Sequence, residues 1–319
     1  ETGGAAIGCI MGMCRGRVAG GVTRKEIVMR RCMLLALAAI VSAATALAGA
    51  PKAKHVVLIG LDGWGAYSVR KADPATIPNI RKVMARGAWT LRDRAVLPSS
   101  SAINWATMFM GVPTEIHGYT AWNSRKPEIK PNVTNERGIQ PTIFSELRRQ
   151  RPEARIEAFV EWDVYASLMD KEILDVFHLD PGNHQKLPDA LVAEAAKAIK
   201  ARKPTFLAIC LDLLDNIGHD VGHDTPEYYG YLAKADGYIG TLLKAIEEAG
   251  IAQDTIVILT ADHGGIGKKH GGKSLEELEI PFIIAGANVK ASGEIKEEMM
   301  QYDCAAMIAY ALGIAPHPV

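Results

Sequence analysis

HVVLIGLDGWG, residues 55–65, decides the fold. Its first seven residues are a short apolar run rich in Val and Ile, the mark of a buried strand, and the run stops on Asp62-Gly63, where a carboxylate meets a turn residue. Three more such runs follow: ARIEAFV at 154–160, PTFLAICLDL at 204–213 and DTIVILTA at 254–261. Helical patterns separate them, TIPNIRKVMARG at 76–87, PTIFSELRRQ at 141–150, DALVAEAAKAIKAR at 189–202 and PEYYGYLAKADGYIGTLLKAIEEAG at 226–250. Alternating strands and helices predict a mostly parallel central sheet covered on both faces, a three-layer α/β/α sandwich. No internal repeat breaks the pattern, and residues 119–140, rich in Pro, Asn and charge, read as a surface excursion.

Open α/β sheets place ligands beyond the carboxyl ends of their strands, and the chemically capable residues fall there. Asp62 at the end of the first run is either a cation ligand or a helix N-cap. In LPSSSAINWATMFMG, 97–111, three serines precede a helical stretch. A hydroxyl there meets backbone N–H groups that favour an anion, although a serine run also serves as a simple cap. Asp215 and His219 in DNIGHDVGH, 215–223, are spaced i, i+4; in TADHGGIGKKHGG, 260–272, Asp262 and His263 follow a strand directly and His270 lies in a Gly-rich loop. Carboxylate and imidazole ligands suit zinc or a similar divalent ion, and three Asp/His sets converging on one sheet edge read as a metal site. His223 reads as a supporting or surface residue, His117 as structural, and Lys268, Lys269 and Lys273 as solvated.

The chain is 48% hydrophobic with 36 residues of each charge sign, as in soluble globular proteins. MRRCMLLALAAIVSAATALA at 29–48 has the basic start, apolar stretch and small-residue Ala46-Leu47-Ala48 site of a secretory signal. Its uninterrupted apolar run falls short of the roughly 20 residues that span a bilayer, so export to the periplasm or beyond is expected rather than a membrane anchor. Residues 1–28 read as an upstream extension or cloning remnant and 51–319 as one domain. Removing 1–48 takes six basic and two acidic residues, leaving 30 basic against 34 acidic, without the basic stripe of a nucleic-acid binder. Cys210 in a strand and Cys304 in a helix read as core residues rather than a disulfide framework.

The motifs together resemble the alkaline phosphatase superfamily, most closely its type I phosphodiesterase/nucleotide pyrophosphatase branch. Ser101-Ala102-Ile103-Asn104 leads to Gly111-Val112-Pro113-Thr114-Glu115-Ile116-His117-Gly118 at matching intervals, and Asp215…Gly218-His219 and Asp262-His263-Gly264 match its D-x-x-G-H and D-H-G. The resemblance runs from about Lys54 to Pro281, and its register selects Ser101 over Ser99 and Ser100. It implies an alkaline-phosphatase-like fold and two divalent ions, zinc by preference, with manganese or iron as alternatives. Asp62, Ser101, Asp262 and His263 would hold one ion, and Asp215, His219 and His270 the other. Ser101 would attack phosphorus to form a phosphoseryl intermediate, with Asn104 and the N–H of Ala102 donating to a non-bridging oxygen. The implied activity is hydrolysis of small-molecule phosphate esters of the phosphodiester or pyrophosphate type. A phosphomonoesterase on the same scaffold is the alternative. A metal-binding protein without catalysis is disfavoured by the intact Ser101 and ligand set.

Two positions depart from that branch. Nucleotide-cleaving members stack a base between aromatic residues where this chain has Ala102 and Cys210; Trp64, Trp105, Trp122 and Trp162 read as packing residues, any of which could supply a face elsewhere. The interval from His263 to His270 is short, and HGGKSLEELEIPFIIAG at 270–286 looks like the matching segment of sulfatases. The Cys or Ser, Pro and Arg pattern of a sulfatase nucleophile is missing from LPSSSAINW, which disfavours sulfate esters.

Overall fold

In the computed structural model, which describes residues 50–181 and 186–316, the run that opens the motif forms β1 (His55–Leu61) at the middle of a sheet. The extension expected at 1–28 and the signal expected at 29–48 lie outside the described residues. The other strands are β2 (Gly87–Arg94), β3 (Ile156–Val160), β4 (Val176–Leu179), β5 (Phe206–Leu211), β6 (Thr255–Thr260), β7 (Glu279–Gly286), β8 (Gly293–Glu294) and β9 (Met299–Met300). Their order is β4-β3-β5-β1-β6-β7-β2-β8, with β9 also paired to β2. Every neighbouring pair is parallel except the two made by β7. Between β6 and β7 the chain has one helical turn, Leu275–Leu278, and no crossover helix, so it returns antiparallel.

Helices α1 (Ala66–Lys71), α2 (Pro78–Arg86), α3 (Ser101–Met110), α4 (Ile143–Gln150), α5 (Asp189–Arg202), α6 (Leu213–Val221), α7 (Pro226–Glu248) and α8 (Asp303–Leu312) cover both faces. Strand periodicity sorts the core. Val57, Ile59 and Leu61 of β1, with Leu207, Ile209 and Leu211 of β5, pack against α1, α2, α5, α6 and α7. Val56 and Leu58, with Phe206, Ala208 and Cys210, face α3, α4 and α8. The three-layer sandwich expected from the sequence is therefore the observed architecture, and Cys210 and Cys304 are buried free thiols within it.

Local chemistry fixes the helix starts. The long α7 begins at Thr225, whose hydroxyl accepts the N–H of Tyr228, with Pro226 in the first turn where a missing N–H costs nothing. No side chain caps α2 locally; the buried carboxylate of Asp236, from α7, accepts the N–H groups of Asn79 and Ile80 instead.

One buried carboxyl lacks such help. Asp93 in β2 is 1% exposed, and neither of its oxygens has a hydrogen-bond partner of good geometry. Burial pushes its pKa up to about 7; the N–H of Arg94 opposes this and the charge of Asp303 adds to it. The unfolded value is about 3.9, so between pH 4 and 7 the folded chain keeps a proton that the unfolded chain has released, and stability falls as pH rises through that window. Asp93→Asn is expected to gain on the wild type by about 1 kcal/mol near pH 5 and by a few kcal/mol near pH 8. Urea midpoints at the two pH values measure it, and a pH-independent difference would contradict the assignment.

Candidate active site

The site follows from strand register. In adjacent parallel strands, Gly60 of β1 lies opposite Cys210 of β5 and Thr260 of β6, so the segments after all three leave the sheet at one edge. They carry Asp62, then Asp212 with Asp215 in the first turn of α6, then Asp262 and His263. Gly63 makes their approach possible: its φ is +72°, and a Cβ there would sit 2.7 Å from the Cα of Asp215.

Ser101 opens α3 and is nearly buried, with Oγ 3.1 Å from Nε2 of His263. The other two serines do different work. Ser100 stands at the N-cap without a side-chain capping bond, and Ser99 donates from Oγ to the carbonyl of Gly272 while accepting the N–H of Gly271, tying the His270 loop to α3.

Each carboxylate has one oxygen engaged and one bare. Asp62 Oδ2 accepts the indole N–H of Trp105 at 3.0 Å; Asp262 Oδ1 accepts the N–H groups of His263 and Gly63 at 2.8 and 3.2 Å; Asp215 Oδ2 is 3.3 Å from Nε2 of His219. Asp62 Oδ1, Asp262 Oδ2 and Asp215 Oδ1 are buried without a hydrogen-bond partner. The imidazoles are oriented alike. Nδ1–H of His263 donates to the Gly264 carbonyl, that of His219 to Lys268 and that of His270 to Ser99, at 2.8–2.9 Å, which turns each Nε2 toward the carboxylates.

The Nε2 atom of His263 lies 3.2 Å from Asp262 and 3.5 Å from Asp62, and that of His270 lies 3.7 Å from Asp215 Oδ1. Burial lowers the His263 pKa to about 3, so its Nε2 presents a lone pair. Lone pairs and carboxylate oxygens so gathered repel, and a divalent cation is one partner that satisfies them together. Ligand atoms of Asp215, His219 and His270 fall within 4.8 Å of one another, and so do those of Asp62, Asp215 and His263. The donor chemistry fits zinc, manganese or iron. The first grouping is the second set expected from the sequence; the other joins Asp215 to Asp62 and His263, and Asp262 lies beside His263 and Asp62 without entering it.

Electrostatics agree with crowded negative charge. Burial, then the charge of Asp215, drives Asp62 well above the usual carboxylate range; burial, then Asp62 and Asp215, does the same to Asp262. For Asp215, burial also pulls upward, but its hydrogen bond with His219 and the neighbouring imidazoles hold it below that range. The Asp215 bond in turn draws His219 up to about 9, and burial pushes His223 down to about 4.

The expectations for two N–H donors need correction. Asn104 is fully buried; its amide donates to the carbonyls of Pro98 and Ser100 and its oxygen accepts the N–H of Val96. With both hydrogens engaged, it clamps the segment before Ser101 and has none left for a phosphoryl oxygen. The N–H of Ala102 is taken by the carbonyl of Trp122 at 3.0 Å.

Some contributors escaped the sequence reading. Trp105, read as packing, holds Asp62; its i, i+4 relation to Ser101 on α3 was the available signal. Gln301 donates to the carbonyls of Ala261 and Asp262 and steadies the loop after β6, with no sequence signal. Asp212 has a buried, unpartnered Oδ1, and its N–H donates to Glu161 at 2.7 Å. Burial, then the charges of Asp62 and Glu161, raises Asp212 well above the usual range, and burial takes Glu161 to about 7.

A cavity of about 370 Å³ joins Ser101, Asp62, Asp212, Asp215, His219 and His270 to a wall of Trp122 and Trp162. No Lys or Arg lines it among the described residues. The two indoles are parallel within 1° at a centroid distance of 6.1 Å, and Trp122 is 61% exposed. Trp122 is therefore not a packing residue, whereas Trp162 packs against the core with its partly buried ring and also faces the cavity, and Trp64 and Trp105 are fully buried. A larger hollow of about 530 Å³ lies between α2 and α7 near the start of β6, at the opposite edge of the sheet.

A family model described as type I phosphodiesterase / nucleotide pyrophosphatase matches residues 56–274. The venom phosphodiesterase of Macrovipera lebetinus is 26% identical over 222 residues, covering 66% of this chain and 25% of that protein. Arylsulfatase K of Danio rerio is 31% identical over 87 residues, covering 23% of this chain and 17% of that protein. This chain thus spans about a quarter of the length of the venom relatives it matches. Among solved structures, murine ectonucleotide pyrophosphatase / phosphodiesterase 5, in an inactive form with AMP, superposes with a TM-score of 0.65 at 15% identity, over 83% of this chain and 96% of that one. A 2-O GAG sulfatase superposes with a TM-score of 0.63 at 16% identity, over 84% and 72%. Both likenesses place this fold with alkaline-phosphatase-like proteins.

Trp105→Phe keeps the ring and removes the one donor to Asp62 Oδ2. Divalent-ion affinity, measured by chelator competition, is expected to fall about 10- to 100-fold. Unchanged affinity would show that Asp62 is not held through that bond.

Proposed function

The chain belongs to the type I phosphodiesterase/nucleotide pyrophosphatase family, and from that premise we propose that it hydrolyses phosphate diesters through a phosphoseryl intermediate on Ser101. The observation that carries the reading is the Ser101 hydroxyl, 3.1 Å from a lone-pair nitrogen of His263 and at the edge of a cluster of bare carboxylate oxygens. Asp62, Asp262 and His263 with Ser101, and Asp215, His219 and His270, would hold two divalent ions, zinc by preference. Such ions supply positive charge that lowers the pKa of a hydroxyl and offsets charge developing on phosphoryl oxygens.

The protein's own groups do the rest. Asn104 and the Ala102–Trp122 backbone bond hold Ser101 at the mouth of the cavity, so that deprotonated Oγ meets phosphorus without searching conformations. The Oγ–P bond forms as the bond to the leaving oxygen breaks and an alcohol departs. Water then attacks the same phosphorus, the Oγ–P bond breaks, and the Ser101 hydroxyl is restored.

The cavity lining favours a diester over a monoester. A monoester brings an extra negative charge, and the lining offers Asp212 beside the ligand set with no Lys or Arg to receive it. The base-stacking positions of nucleotide-cleaving relatives are buried here as Ala102 and Cys210, so neither can touch a substrate. Trp122 and Trp162 supply an apolar wall instead, suited to a flat or bulky ester group. Export is part of the reading, supported by the signal pattern at 29–48 and by venom relatives. No helix among the described residues is long and apolar enough to cross a membrane. Residues 51–319 are proposed as a single domain.

After zinc loading, an aryl phosphate diester is expected to turn over at least about tenfold faster than the matching monoester, and a sulfate ester not at all. Ser101→Ala should lower kcat on the diester by about 10³ or more. Equal activity of the mutant would end the nucleophile assignment, and a monoester preference would replace the diester reading. Trp122→Ala is expected to raise KM for the aryl diester by about tenfold with a smaller change in kcat, as loss of roughly 1.4 kcal/mol of ring contact requires. A dialkyl diester should show less of that effect.

A further inference from the structure

The sequence reads His223 as a supporting or surface residue, and the mechanism above does not use it. Its side chain is nevertheless fully buried, and neither ring nitrogen has a hydrogen-bond partner. Buried polar groups without partners are uncommon because they forgo the hydrogen bonds of water. An apolar side chain of similar shape would fill the space without that loss, so an imidazole here calls for a reason.

The slot around the ring supplies one. A Cβ built on Gly218 of α6, or on Gly265 in the loop after β6, would lie 2.3 Å from Nε2 of His223. Both chain segments that carry site residues thus leave room for the Nε2 edge of this ring. The backbone N–H of His223 donates to the carbonyl of Gly267 at 2.7 Å, anchoring the turn after α6. Nε2 lies 4.0 Å from Asp215 Oδ1, the oxygen of Asp215 that has no partner. Two orphaned atoms therefore face each other about 1 Å beyond hydrogen-bond reach. The hydroxyl of Tyr228, whose ring lies beside His223, is already committed to the carbonyl of Gly63.

We propose that His223 is a positioning residue for the cation held by Asp215, His219 and His270, donating its Nε2–H to Asp215 Oδ1. It does not join the tight ligand grouping, so it acts through the carboxylate. Fixing that oxygen sets which way Asp215 presents its charge, the service that outer hydrogen bonds render to metal-bound carboxylates. The inference rests on the metal-dependent reading of the preceding subsection.

The test measures zinc affinity by competition with a chromophoric chelator, together with the melting temperature of the zinc-free protein. His223→Phe keeps a ring and removes the nitrogens; it is expected to bind zinc about 10- to 100-fold more weakly while melting, zinc-free, at or above the wild-type temperature. His223→Gln, which restores an N–H donor, should recover much of the affinity. If the Phe variant does not fold, His223→Met, flexible enough to fill the slot, carries the same expectation. Wild-type affinity in the Phe or Met variant overturns the proposal. So does weaker binding that tracks a lower zinc-free melting temperature and is not recovered by Gln, the signature of a purely structural role. If the wild type itself binds no zinc, the metal-dependent reading fails and takes this inference with it.

Discussion

Burying several carboxylates at the ends of neighbouring strands is the constraint around which this molecule is arranged. Taking one such ion out of water costs several kcal/mol even after relaxation, and like charges at close range add to the cost. The chain meets part of it with fixed donors: the Trp105 indole on Asp62, the N–H groups of Gly63 and His263 on Asp262, and His219 on Asp215. Each arrangement has a steric condition. The Trp105 ring lies so close to β1 that a Cβ at Gly60 would be 2.4 Å from it, and Gly63 must be small for its loop to reach α6. Gln301, arriving from the far end of the chain, steadies the carbonyls beside Asp262. What these donors leave unmatched is one oxygen per carboxylate, which is the chemical opportunity a cation exploits.

Much of this was legible because strand ends and ligand positions coincide in sequence. An apolar run that stops on Asp or Asp-His announces both where the strand finishes and what stands there, so β1, β5 and β6 could be read together with Asp62, Asp215, Asp262 and His263. The helix over 189–202 was equally plain, since Pro188 precedes an uninterrupted stretch of good helix formers. β2 was not. GAWTLRDR mixes apolar and charged residues, and its pairing with β7, β8 and β9 is set by chain return and not by local pattern. The same limit applies to side chains whose role is a hydrogen bond across the fold. Asn104 looked like a donor to substrate because it sits one turn from Ser101, yet the chain folds Val96 and Pro98 back onto its amide and uses it fully.

The cavity wall and the Asp/His cluster come from different parts of the chain. With Ala102 and Cys210 facing the core, the cavity takes its apolar wall from Trp122 in the 119–140 excursion and from Trp162 just after β3. The excursion contains no regular strand or helix, whereas the clustered Asp and His residues stand at the margins of a nine-stranded sheet. On the proposed reading, chemistry and selectivity are thereby drawn from parts of the chain with different freedom to vary.

Position 122 condenses that division into one residue. Its carbonyl oxygen satisfies the N–H of Ala102 at the start of α3, while its ring stands in the cavity mouth. The structural duty belongs to the backbone, which every amino acid possesses, and on the proposed reading the selective duty belongs to the side chain. On that reading, selection, or a designer, can exchange the side chain at this position and reshape the cavity mouth while the support beneath the serine remains in place.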